Sequence, residues 1–132
     1  MSSVTDRARL TEENRTWFDR FVHQMYVEKD VAGAFDAYVS TDYVQHNPGL
    51  PDGPQPARDA LSGKFSDPDF HTDVKRILVD GEYGVVHLHA WTTGERGGAV
   101  VDVYRLLDGK VVEHWDVLQP VPETSANPHP MF

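Results

Sequence analysis

The feature that most constrains this chain is a change of period at Phe70. Before it, apolar residues recur every three or four positions. After it they alternate in four segments, near Thr72 to Val79, Val85 to Thr92, Ala99 to Leu107 and Val111 to Leu118, divided by Asp80-Gly81, Gly94 to Gly98 and Asp108-Gly109. Short strands joined by glycine turns make an antiparallel meander, which has one face to bury. The helical residues come first in the chain and can cover that face, so the expected class is α+β.

The first helix is predicted over roughly Glu12 to Glu28, with Thr11 as N-cap and Trp17, Phe18, Phe21, Val22 and Met25 as its stripe. Residues 1–10 are expected to be flexible. Val31, Ala34, Phe35 and Tyr38 indicate a second, short helix, capped by Asp30 and weakened by Gly33, ending near Ser40. "YVQHNPGLPDGPQP" reads as a loop, and Ala57, Leu61 and Phe65 as a third helix stopped before Asp67-Pro68. Residues 119–132 form a Pro-rich tail, either ordered against the body or loose. At 132 residues and 39% hydrophobic content, one domain with a real core is expected.

Composition narrows function by exclusion. The chain has no cysteine, which rules out disulfides, thiolate metal sites and a Cys nucleophile. A net charge of −9 disfavours nucleic acid and anionic membrane as partners. No secretory h-region or membrane-length apolar run is present, so a cytoplasmic location is expected. G-x-S-x-G, P-loop and G-x-G-x-x-G patterns are missing, so no nucleotide cofactor is expected.

The stretch "VVEHWDVLQP" carries the chemistry. On a strand, His114 and Asp116 share a face with Val112 and Leu118, while Glu113, Trp115 and Val117 share the other. A two-residue turn at Asp108-Gly109 would set Asp102 opposite Trp115. A three-residue loop, Leu107-Asp108-Gly109 with Gly109 left-handed, pairs Leu106 with Lys110 and Asp102 with His114. The second register segregates the faces better and is the one expected. It gathers Val100, Asp102, Tyr104, Leu106, Val112, His114, Asp116 and Leu118 on one face, with directly opposed Cβ atoms about 5 Å apart. Asp102, His114 and Asp116 would then surround a small molecule, with environments that poise one group as acid and another as base for proton transfer beside a carbonyl. The alternative is a solvated face with three ordinary surface residues.

Further candidates for substrate contact are His46, Asn47, Tyr104, His89 and Trp17. His46 and Asn47 enter a rigid loop where pocket walls are often built, although Asn47 before Pro48 also serves as a turn former. His87 and His89 share a strand face, with their register against Asp102 undetermined. A metal held by His46, His87, His89 and His114 is conceivable, but an H-x-H without a spaced third ligand is a weak signal, and no metal is expected. Trp17, Phe18 and Phe21 are most simply core.

"DYVQHNPGLPDG", "VVDVYRLLDGKVVEHWDVLQPVPE" and "SANPHPMF" resemble the SnoaL-like polyketide cyclase family, within the nuclear transport factor 2-like superfamily that also contains ketosteroid isomerase. The resemblance covers nearly the whole chain. It implies a cone of three helices on the concave face of a curved antiparallel sheet, with a pocket at the open end. It implies that Asp102 matches the protonated oxyanion-hole acid of ketosteroid isomerase. Asp116 becomes the counterpart of the carboxylate that, in such cyclases, acts as general acid/base in an intramolecular aldol condensation without metal or cofactor. The isomerase's general-base aspartate and oxyanion tyrosine have no match in this chain. The leading expectation is a cofactor-independent lyase or isomerase acting on a small carbonyl or polyketide-like compound, with Asp116 and His114 handling protons and Asp102 steadying an enolate oxygen. A non-catalytic ligand-binding module of the same fold is the alternative. The convex face, with Val101, Val103, Val111, Trp115 and Val117 beside Arg105 and Glu113, points to a homodimer, as the resemblance also implies; otherwise the tail covers it.

Overall fold

The structure is a computed structural model that describes residues 4–132; residues 1–3 of the segment expected to be flexible lie outside it. Residues 4–10 are helical. Helix α1 runs Val4–Val22, and its first turns are tied to the sheet by an ion pair between Arg7 and Asp80. Thr11 is therefore not an N-cap but a mid-helix residue. Its hydroxyl donates to the Arg7 carbonyl and accepts from the Gly81 amide, both at 2.8 Å.

Helix α1 passes into a π-helical turn, His23–Val27. Helix α2, Val31–Tyr38, is capped by Asp30, whose carboxylate accepts from the Gly33 amide at 3.0 Å. A Cβ on Gly33 would clash with that carboxylate, so the glycine that weakens the helix is demanded by its cap. Strand β1, Val39–Gln45, forms where the sequence reads as helix end and loop. Helix α3, Pro54–Phe65, follows with Pro in its first turn. The meander is as expected, with β2 Phe70–Asp80, β3 Tyr83–Thr92, β4 Gly98–Leu107 and β5 Lys110–Pro120.

The strand order is β1-β5-β4-β3-β2. Because β1 pairs parallel with β5, the curved, unclosed sheet is mixed rather than antiparallel. The three helices pack on one face of it around Phe18, Phe21, Val22, Phe35, Leu106 and Val111. Phe18 lies directly on the sheet at Gly84, where a Cβ would come within 2.6 Å of its ring. Among the described residues, no helix is long and apolar enough to cross a membrane.

The β4–β5 register differs from both readings of the sequence. Asp108 and Gly109 have φ of 51° and 76°, a left-handed two-residue turn that pairs Leu107 with Lys110. A bulge follows: Leu106 faces Val111 but Arg105 faces Glu113, leaving Val112 as the extra residue. Asp102 is thus opposite Asp116, and Tyr104 opposite His114. Relative to the expected register this is a slip of two residues, which preserves the faces. The exception is at the bulge, where Val111 rather than Val112 fills the core, so Val111 is not part of the convex face.

The convex face keeps Val101, Val103, Trp115 and Val117, the last 68% exposed, beside an Arg105–Glu113 ion pair of 2.7 Å. The tail returns to the same side of the sheet farther along. There the Phe132 ring stacks on His89 at 4.2 Å, with Lys75 Nζ 5.5 Å from its centroid.

Candidate active site

Between helices and sheet lies a cavity of about 220 Å³. Its walls are apolar over most of their extent, from Phe21, Met25, Phe35, Leu61, Phe65 and Val100. Its polar side is built by β1, the loop after it, β4, β5 and the π-helical turn, which contribute Tyr43, Gln45, Asn47, Asp102, Tyr104, His114, Asp116 and Tyr26.

Asp102 and His114 are buried on the concave face and Asp116 is half-buried; their side chains are 12%, 10% and 24% exposed. His114 Nε2 is 3.0 Å from Asp102 Oδ1 and 3.9 Å from Asp116 Oδ2. The other imidazole nitrogen, Nδ1, is 2.8 Å from Gln45 Oε1, an oxygen that also accepts from the Asn47 amide at 3.0 Å. Since a carbonyl oxygen only accepts, Nδ1 carries a proton. The Nε2–Asp102 contact then holds a single proton, on the nitrogen or on the carboxyl. On the far side of Asp102, Oδ2 accepts from the Tyr26 hydroxyl at 2.5 Å, which leaves Tyr26 to accept from the Tyr104 hydroxyl at 2.6 Å. Burial, then the adjacent Asp102 charge, pushes both phenols well above their ordinary pKa and keeps them as donors.

The result is one continuous hydrogen-bonded chain: Tyr104, Tyr26, Asp102, His114, Gln45. His114 is also fixed sideways, between the rings of Tyr104 at 5.0 Å and Tyr43 at 6.3 Å. Asp116 stands at the edge of this chain. Its Oδ2 accepts from Asn47 Nδ2 at 2.8 Å, while Oδ1 has no hydrogen-bond partner among the described residues. Asn47 is held in turn by its Oδ1, which accepts from the Gly49 amide at 2.8 Å. The turn-forming and site roles of Asn47 coincide. Tyr43 is the remaining polar group. Its oxygen accepts from Gln45 Nε2 at 3.3 Å, its proton has no acceptor among the described residues, and burial raises its pKa.

The other candidates lie elsewhere. His46 stacks on Trp115 at 4.7 Å and binds Glu113 at 2.6 Å on the convex side. It holds Glu113, together with Arg105, below the usual carboxylate range. His89 also faces outward, because its neighbours Leu88 and Ala90 take the cavity face; it stacks on Trp91 at 4.4 Å. His87 meets Arg76 on that side. Trp17 stacks on Tyr38 at 5.9 Å among the helices and does not line the cavity. The conceivable four-histidine metal set is dispersed. A different set, Asp102, His114 and Asp116, has ligand atoms within 4.8 Å of one another and could hold a divalent cation, at the cost of the Nε2–Asp102 hydrogen bond.

Sequence reasoning missed Tyr26, Tyr43 and Gln45. Tyr26 was visible as a phenol four residues after Val22 on the apolar stripe. Tyr43 and Gln45 alternate on β1, in the part of that strand whose sequence reads as loop.

Comparison with known proteins agrees with this architecture. No curated protein matches the sequence. A nuclear transport factor 2-like protein of unknown function from Mesorhizobium loti superposes with TM-score 0.70 at 19% identity, over 83% of this chain and 93% of that one. A protein from Kribbella flavida, proposed to be a ketosteroid isomerase, gives 0.69 at 21% identity, over 89% and 85%. AclR of Streptomyces galilaeus, proposed to be a hydroxylase, gives 0.65 at 22% identity, over 85% and 82%. At these identities the likeness is one of fold. The model of the SnoaL-like domain matches residues 16–114, most of the chain and all of the β1–β4 framework around the cavity, and the protein belongs to the SnoaL-like domain family.

Proposed function

We propose that this protein is a cofactor-independent isomerase or cyclase that moves a proton at a carbon beside a carbonyl. The observation that carries the reading is Asp116, a carboxyl with one unengaged oxygen at a cavity whose walls are mostly apolar, which a phenol, Tyr43, with an unengaged proton also lines. Asp116 takes the α-proton as general base, and the electron pair moves onto the carbonyl oxygen. Tyr43 donates to that oxygen as its negative charge develops. Where the ketone carries a β,γ double bond, the dienolate takes the proton back from Asp116 at its γ-carbon, which is isomerisation; otherwise the enolate carbon attacks a second carbonyl of the same molecule. In the second case the proton returns to the new alkoxide, completing an aldol ring closure. Asp102, expected to steady the enolate oxygen, has both oxygens engaged; in this reading it holds His114 beside Asp116 as a positioning residue.

The test is deuterium uptake. Incubated in D₂O with an enolisable ketone, the protein is expected to speed exchange at the α-carbon. Binding of ketones without any exchange would instead make it a ligand-binding module, a reading favoured by the full internal hydrogen bonding of Asp102 and His114. Chelation is expected to leave the exchange rate unchanged, because side chains alone carry the proton. Stoichiometric zinc or iron, lost together with activity on chelation, would reassign Asp102, His114 and Asp116 as ligands.

We also propose a homodimer through the β4–β5 convex face, which the tail leaves open as it stacks on β3. Apolar sheet faces of this kind are rarely left bare. In sedimentation equilibrium the wild type is expected to dimerise and Trp115→Glu to remain a folded monomer; a wild type that is monomeric at every concentration would sink the proposal.

A further inference from the structure

The cavity is smaller and more polarised than a fused-ring polyketide demands. At about 220 Å³ it lies below the roughly 300–1,000 Å³ of drug-sized ligand pockets. Besides the titratable His114, its lining contains one cation among the described residues, Lys64 near the C-terminus of α3. The Lys64 ammonium stands 5.0 Å from the centre of the Phe70 ring, itself a wall residue. It is exposed, and it has no ion-pair partner among the described residues, a lack it shares with Arg20, Lys29, Arg76, Arg96 and Lys110. Of the 12 Lys and Arg residues, it is the one that lines the cavity among the described residues. Leu61, Phe65 and Phe70 surround it with surface suited to a hydrocarbon chain or one ring.

From this juxtaposition we infer that the substrate is a short carbonyl compound bearing an anionic group, with its acid paired to Lys64 and its ketone reaching Asp116 and Tyr43. The inference deepens, and rests on, the proton-transfer reading above. It names a class: keto acids with an apolar spacer or a single ring, rather than neutral polycyclic ketones.

Two aryl ketones that differ only in the acid, 3-benzoylpropionate and butyrophenone, test it. Binding and α-deuterium exchange are each followed by NMR, for the wild type, Lys64→Met, Lys64→Arg and Asp116→Asn. The wild type is expected to bind the keto acid roughly fivefold better, the reach of a partly exposed ion pair, with the preference shrinking as salt is raised. Lys64→Met removes the preference while keeping the side-chain stem, and Lys64→Arg restores it. Asp116→Asn keeps the preference and loses exchange. If the keto acid is preferred through Lys64 yet never exchanges, this inference stands and the proton-transfer reading falls. If the wild type shows no preference, whether both ketones bind or neither does, or if Lys64→Met leaves the preference intact, the inference is overturned.

Discussion

Asp116→Asn is expected to lower α-proton exchange by about 10²- to 10⁴-fold, the usual contribution of a positioned general base, while the melting temperature stays near that of the wild type. The substitution is nearly isosteric and lies at the edge of the hydrogen-bonded chain. The amide oxygen can still accept from Asn47 Nδ2, whose distance to the carboxylate is now 2.8 Å, so little folding energy is lost. What disappears is a base able to hold a proton. Exchange kinetics and a thermal melt on the same sample separate the two effects. Unchanged exchange in a folded variant would remove Asp116 from the mechanism.

Gly84→Ala is expected to cost at least about 3 kcal/mol, enough to lower the melting temperature by roughly 10 °C in a chain of this length. The new methyl would lie 2.6 Å from the Phe18 ring, and Phe18 is fully buried, with the rings of Phe21 and Tyr104 packed around it at 5.9 and 5.7 Å. It has nowhere to retreat. Phe18→Leu combined with Gly84→Ala is expected to recover part of the loss, since the two changes share one contact and are not additive. Additive losses in the double variant would show that Gly84 serves something other than the approach of α1 to the sheet.

Much of this was legible in the chain, and the reasons are local. The alternation of β2 to β5 and the stripe of Phe18, Phe21, Val22 and Met25 are patterns that neighbouring residues impose on one another. The turn at Asp108-Gly109 was also visible, but the bulge after it was not, because an extra residue at Val112 is selected by packing of Val111 against Leu106 across the hairpin. The concave placement of Asp102, His114 and Asp116 survived that error because a slip of two residues leaves side-chain alternation intact. Strand β1 was hidden for a different reason. "VSTDYVQ" has few apolar residues, and its partner β5 lies some 70 positions away in a parallel pairing that no turn announces. With β1 went Tyr43 and Gln45, and with the register went the knowledge that His46 and His89 point away from the cavity. The start of α1 is not legible locally, because Arg7, Thr11 and Asn14 are held by Asp80 and Gly81, contacts between residues far apart in sequence.

The π-helical turn ties helix length to chemistry. Such a turn holds one residue more than the α-helix around it, and Tyr26 sits within it, reaching Asp102. A lineage that lost one codon from this segment would regain a regular helix and swing the phenol off Asp102, leaving the sheet and most of the cavity wall untouched. A single in-frame deletion would therefore loosen the chain that holds His114 while sparing the scaffold, Asp116 and Tyr43, and a single insertion would restore it.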